Sequence, residues 1–300
     1  MRCVKKPFLI CLFEVMDITD EEATIVRRWR EKYEQSKMLK VCIATPCFGG
    51  QVFCGFMRSV LSLQQVFTTC GIEFDYIFLE GESLIPRARN SCVEKFMSSD
   101  CSHLLFIDAD ITFRPKTILN LLCSELEMCG TPYPKKHINW AKVKDILKKQ
   151  PDINNMALRQ RISDINWNPL LKKIDGDICM SENKGFVEVK DIPTGMMLIR
   201  RSVIQSLMAY YPELKYVNNV AGYGNSNYFY DFFRCGIDDG TYLSEDYYFC
   251  KICRDAGIKL YLDLQSTLIH TGKMDFYGCL GLTYKNFDTL NEDVMLKKTI

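Results

Sequence analysis

Three short apolar runs between residues 40 and 129 each give way to a stretch with helical spacing, and that alternation limits what the chain can fold into. The first run is Lys40-Val41-Cys42-Ile43-Ala44-Thr45, stopping at Pro46. The loop Pro46-Cys47-Phe48-Gly49-Gly50 lets backbone approach a ligand, and then Phe56, Val60, Leu63 and Phe67 recur at helical spacing. The second run is Phe74 to Leu79, followed by the loop Glu80-Gly81-Glu82-Ser83 and a helix from Ile85 to about Met97. The third is Leu104-Leu105-Phe106-Ile107, after which Thr117 to Cys129 alternate like a helix. Strand, helix, strand, helix, strand, helix at these lengths predicts an α/β domain with a mostly parallel central sheet flanked by helices.

The third strand runs straight into Asp108-Ala109-Asp110. Side chains two apart on a strand share a face, so both carboxylates are expected to project together from its C-terminal edge. Two like charges that close raise each other's pKa unless a cation or strong donors sit between them. Carboxylate oxygens suit Mg²⁺ or Mn²⁺ rather than zinc. Ligands of open α/β sheets gather at the carboxyl ends of the strands, where this pair is expected. A bare D-x-D also fits an Asp-rich turn after a buried strand; the later residues decide between the two.

Residues 137 to 185 are polar and Lys-rich, with one amphipathic helix (Val143, Ile146, Leu147), and read as an insertion or lid. Asp191-Ile192-Pro193-Thr194-Gly195 then turns into a strand, Met196 to Ile199. Residues 218 to 243 are rich in Gly, Asn and aromatics, among them Tyr223, Asn225, Tyr228, Phe229, Tyr230 and Phe232. Such a segment fits either sugar stacking or a packed loop. Ser244-Glu245-Asp246 opens a helix, Tyr247 to Ala256, and a serine cap followed by acids is also ordinary helix punctuation. Strands follow at Lys259 to Leu262 and Ser266 to Ile269, the last ending in His270-Thr271-Gly272-Lys273.

Composition excludes several classes. With 38 basic and 37 acidic residues the net charge is +1, which gives no footprint for a nucleic-acid or membrane-surface partner. The 15 cysteines are scattered, several within apolar runs, which reads as reduced thiols in a cytosol-like compartment. The lone C-x-x-C, Cys250 and Cys253, lies in a helical pattern without a second pair, a poor zinc site. The apolar run Phe8 to Phe13 meets Glu14 far short of the roughly 20 residues that span a bilayer, and no cleavage site follows it. The expectation is a soluble, cytoplasmic protein with no transmembrane segment. Residues 17 to 37 turn from acidic to basic in the order a helix dipole favours, so residues 1 to 38 read as a helical appendage.

This ordered set resembles the GT-A class of nucleotide-sugar-dependent glycosyltransferases, of the inverting family 2 kind. The resemblance rests on Thr45-Pro46, the helix start Ser83 to Asn90, Asp108-Ala109-Asp110, Pro193-Thr194-Gly195, Ser244 to Tyr247 and His270. It implies a GT-A domain over residues 39 to 285, with a Rossmann-like nucleotide-binding half and an acceptor half, 137 to 185 variable and 286 to 300 a tail. It implies Mn²⁺ or Mg²⁺ on Asp108, Asp110 and His270, and a UDP- or GDP-linked sugar as donor. Asp108 reaches the ribose or the metal, and Thr45, Pro46, Arg87, Arg89 and Asn90 contact the nucleotide. Gly195 lets the donor sugar lie against backbone, and Lys273 adds charge at the diphosphate. Asp246 is then the base toward a glycan or other hydroxyl acceptor, with Glu245 orienting beside it, and a single base without a nucleophile implies inversion. The source implied is bacterial or viral.

Two alternatives stand beside it. Asp108-Ala109-Asp110-Ile111-Thr112 also matches the D-x-D-x-T of haloacid-dehalogenase-type phosphatases, with Asp108 as nucleophile and Asp110 as acid/base. That family puts this strand first in its domain, whereas two strand–helix units precede it here. The other is a sugar-binding module of the same fold without the chemistry.

Overall fold

A computed structural model describes residues 39–174, 177–180, 182–183, 185–219 and 226–274. The expected appendage at 1–38 with its helix, the tail at 286–300, and Tyr223 and Asn225 lie outside the described residues. The first part holds β1 (Lys40–Cys47), α1 (Cys54–Cys70), β2 (Glu73–Glu80), α2 (Ile85–Ser98), β3 (His103–Ile107), β4 (Ile111–Thr112), α3 (Pro115–Cys123) and β5 (Met128–Gly130). Next come α4 (Trp140–Lys149), α5 (Asn155–Arg159), β6 (Asn168–Pro169), the paired β7 (Leu171–Ile174) and β8 (Asp177–Met180), and β9 (Glu182–Asn183). The rest is β10 (Phe186–Asp191), β11 (Met196–Arg200), α6 (Arg201–Tyr210), β12 (Gly236–Asp238), β13 (Thr241–Leu243), α7 (Glu245–Asp255), β14 (Leu260–Asp263) and β15 (Ile269–His270).

Nine strands form the central sheet in the order β2-β1-β3-β11-β5-β14-β10-β6, with β9 beside β10. It is a mixed, mostly parallel sheet: only β10 and β11 run against the other strands. Alternation along the strands splits the core in two. Cys42 and Ala44, Leu104 and Phe106, and Met197 and Ile199 face α2, α6 and α7. Val41 and Ile43, Leu105 and Ile107, and Met196 and Leu198 face α1 and α3. Both faces of the sheet are therefore covered, as a mainly parallel sheet requires.

Several expectations are corrected. β1 does not stop at Pro46; it continues to Cys47, paired with β2. Its pairing with β3 ends at Ala44, so Pro46 has a strand neighbour on one side only, and its missing N–H is tolerated there. The helical pattern from Thr117 to Cys129 is two elements. Glu125 takes a left-handed backbone (φ 60°) just after α3, and β5 follows with all three of its residues buried. The sheet also gains β10, which follows the insertion directly and which the sequence left unassigned. Residues 264–268 are not a strand; only Ile269 and His270 pair, and they pair with β4. Phe229 and Phe232 are fully buried in the core together with Phe233, so these aromatics pack rather than stack on a ligand. Cys250 and Cys253 are free thiols buried in α7. No helix among the described residues is long and apolar enough to cross a membrane.

Candidate active site

The aspartates do not extend β3. They sit in a turn that closes when the Ile111 amide donates to the Asp108 carbonyl at 3.1 Å, so the alternation rule no longer applies to them. Three other segments fasten the turn. Phe53, at the start of α1, donates to the Ala109 carbonyl (3.0 Å), Asp108 donates to the Gly195 carbonyl (3.1 Å), and Thr271 donates to the Asp110 carbonyl (2.9 Å). α1 comes close because Gly55 has no side chain: a Cβ there would lie 2.1 Å from the Thr112 hydroxyl.

Held this way, the two carboxylates take different partners. Asp108 accepts from the Arg89 guanidinium at 3.0 Å, and Arg89 also reaches Glu245 at 3.4 Å. Arg89 is buried, its charge lies over the Phe106 ring (5.3 Å to the centroid), and its Nη1 has no partner. Burial disfavours that charge, but Asp108 and Glu245 outweigh it and raise the guanidinium pKa. Thus α2, the turn and α7 are joined through one guanidinium.

Asp110 faces a different group. Its Oδ2 accepts from Lys136 Nζ, and its Oδ1 lies 3.5 Å from His270 Nε2. His270 Nδ1 is 2.9 Å from the Pro134 carbonyl, which only accepts, so Nδ1 carries the proton. In the neutral ring Nε2 is then a lone pair aimed at the Asp110 Oδ1 lone pairs, and Oδ1 is buried without a hydrogen bond. Two opposed acceptors at that distance fit a cation between them, and a histidine oriented through its other nitrogen is what metal sites use. Burial pushes the Asp110 carboxyl up, but a positive charge on His270, which the ring carries only when Nε2 is protonated, and the Lys136 ammonium outweigh it and hold it below the usual range.

Asp246 behaves in the opposite way. Burial raises its pKa, and Glu245 adds to the rise against the pull of Ser244 and the Tyr247 amide. The Ser244 hydroxyl donates to Asp246 Oδ1, which also accepts from the Tyr247 N–H at 2.9 Å. Ser244 makes no side-chain cap on α7, so its hydroxyl serves Asp246 instead of the helix end.

The remaining expected site residues divide. Arg87 forms a two-pronged pair with the buried Glu82 at 2.5 and 2.8 Å, bracing the loop before α2. Asn90 is buried, donating to Asp231 (3.0 Å) and accepting from the Phe233 amide (2.9 Å). Thr45 and Pro46 are buried in β1. Gly195 does make room, but for Tyr133: a Cβ would stand 2.6 Å from that ring. Lys273 lines a cleft of about 650 Å³ with Lys136, Trp140 and His270. A second cavity of about 680 Å³ adjoins it at His270 and Pro134, and there Asp263 presents a buried Oδ2 with no partner.

Sequence reasoning missed Tyr133 and Lys136. The Tyr133 ring meets His270 edge-on (centroids 4.9 Å apart), its hydroxyl accepts from the Gly195 N–H (3.2 Å), and burial raises its pKa, with Asp108 adding to the rise. No motif flags a tyrosine between two prolines; only the close approach demanded by Gly195 hinted at a large neighbour.

Asp75, Asp100 and Cys101 bring ligand atoms within 4.8 Å of one another, a spacing that could hold a metal ion. They lie at the opposite edge of the sheet, and Lys40 Nζ already sits 2.9 Å from Asp75 and 2.6 Å from Asp100. Among the described residues Asp108, Asp110 and His270 do not close to that spacing as a trio. Only Asp110 and His270 come together.

No protein-family model and no curated protein matches the chain. Among solved structures it is similar to the crystal structure of GalNAc-T7 with UDP, GalNAc and Mn²⁺, at 10% identity and a TM-score of 0.41. The match covers 80% of this chain and 44% of that one. At that TM-score the roles of individual residues rest on this chain's own geometry.

Proposed function

We propose that the chain is a GT-A-type glycosyltransferase that moves a sugar from a UDP- or GDP-linked donor to a hydroxyl acceptor with the help of Mn²⁺ or Mg²⁺. The observation that carries this is the opposed pair of Asp110 Oδ1 and His270 Nε2, 3.5 Å apart on the C-terminal edge of the sheet. Asp110 and His270 would hold the ion, with Asp108 close by on the same turn. A divalent cation bound there supplies charge neutralisation for the departing diphosphate. Lys273 faces the same cleft and adds positive charge toward that group. Asp108, fixed by Arg89, accepts hydroxyl donors from the nucleotide's ribose.

Asp246 is the base. Its raised pKa marks a carboxylate whose ionised form is poorly stabilised and which therefore takes a proton readily. It removes the acceptor hydroxyl's proton as that oxygen attacks the anomeric carbon and the bond to the diphosphate breaks. One base and no nucleophile on the donor's side gives inversion. Arg89 holds Glu245 beside it, which fixes the start of α7.

The test is a panel of UDP- and GDP-sugars with Mn²⁺ or Mg²⁺, read as thermal shift and donor hydrolysis. Binding at about a hundredfold excess over Kd is worth about 2.7 kcal/mol of stability. The expected outcome is a metal-dependent shift that Asp110→Ala abolishes and His270→Ala weakens less. Nucleotide affinity indifferent to a chelator would count against the metal and against both ligands.

A further inference from the structure

Lys136 has no part in the chemistry above, yet it is the cation that Asp110 holds. Its Nζ donates to Asp110 Oδ2, the other oxygen of the carboxylate whose Oδ1 faces His270. The position is built. The Lys136 stem lies over Gly272, where a Cβ would come within 2.8 Å of Cδ and 3.1 Å of Cγ. The backbone that carries it is fastened as well: Lys135 donates to the Asp164 carbonyl and His137 to the Lys135 carbonyl, each at 2.8 Å. Two residues earlier, the Pro134 carbonyl fixes His270 at 2.9 Å. One short loop thus orients the histidine and neutralises the aspartate.

We infer that Lys136 is a tethered counter-cation that occupies Asp110 until a divalent ion displaces it. This rests on Asp110 and His270 being the metal site. An ammonium and a divalent ion in contact with one carboxylate repel each other, and the partly shielded setting strengthens that repulsion. Lys136 is the group that can leave, because its side chain is 39% exposed and flexible, whereas Asp110 is fastened through its backbone. Metal entry is therefore coupled to release of the lysine into the cleft it shares with Lys273. The free site binds metal more weakly than its ligands alone would, and the loop is set in one of two states by the ion.

The experiment measures Mn²⁺ binding to the full chain without nucleotide, by loss of the free-ion EPR signal, in wild type, Lys136→Met, Gly272→Ala and Asp110→Asn. Lys136→Met removes the competing charge and keeps the stem. Gly272→Ala keeps the charge and pushes the stem aside, which covers the case in which the first variant fails to fold. Both are expected to tighten Mn²⁺ binding by about tenfold, roughly 1.4 kcal/mol, and Asp110→Asn to abolish it. If Asp110→Asn loses the ion while the other two bind like wild type, Lys136 is a bystander and the metal site stands. Absence of saturable Mn²⁺ binding in wild type and in both lysine-releasing variants would overturn the metal site and this inference with it.

Discussion

Asp246 sits where its ionised form is costly, and that sets two expectations. Its folded pKa is raised, with burial as the first cause, so the protonated form favours the fold. Its stability contribution is present at low pH and lost as pH rises through that raised pKa. Asp246→Asn keeps an acceptor for the Ser244 hydroxyl and the Tyr247 amide, so its melting temperature at pH 8 should equal or exceed that of the parent. Transfer to an acceptor should fall about 10²–10⁴-fold while nucleotide affinity is retained. In the parent, a base must be ionised, so kcat/KM falls as pH drops, with its limb above the ordinary carboxylate value of about 4. Near-normal transfer by the variant would return Asp246 to helix punctuation and remove the ground for inversion. The aspartates, Glu245 and His270 were legible in the sequence as residue types in order. Their partners were not, because Arg89 and Lys136 choose between the two carboxylates through contacts far apart in the chain.

At the scale of elements, Arg201 shows how one helix is finished by the start of another. α2 ends at Ser98 with carbonyls that lack intrahelical partners. The Arg201 guanidinium, at the first position of α6, donates to the carbonyls of Cys101 (2.6 Å), Phe96 (2.8 Å), Ser99 (2.8 Å) and Met97 (3.2 Å). It also covers the Phe96 ring at 4.6 Å. Arg201→Ala should cost about 2–3 kcal/mol in urea unfolding, since charge-assisted bonds are lost and buried acceptors are left open. Arg201→Lys should recover only part, because an ammonium lacks the planar fork. A loss below about 0.5 kcal/mol would mean that water serves these carbonyls equally well. Of the strands that sequence located, β1, β3 and β11 carry unbroken apolar runs, β2 is interrupted only by Asp75, and β14 holds the short run Leu260-Tyr261-Leu262. β5 escaped because it is three residues long and follows α3 closely enough for the helical pattern to run through it. β10 escaped because Glu188 and Lys190 break its apolar run, while Val187 and Val189 are wholly buried.

Across the whole molecule, the sheet separates two charged edges. At one, Lys40 binds Asp75 and Asp100; at the other lie the aspartate turn, His270 and the cleft. The parallel strands β1, β3, β5 and β14 all end at the second edge, and their grouping there was foreseeable from strand–helix alternation. The reversed strand β11 was not, because alternation says nothing about direction, yet it brings Gly195 to the Asp108 amide. The fastening of the aspartate turn has a consequence for hydrogen exchange. The amides of Phe53, Asp108 and Thr271 come from distant parts of the chain but end on one turn. None can open without disturbing the contacts of the others, so all three should share a single protection close to that of global unfolding. Should Thr271 exchange at the rate of an open loop while Phe53 and Asp108 stay protected, the last strand would be a latch over the site, free to lift while the sheet stays intact.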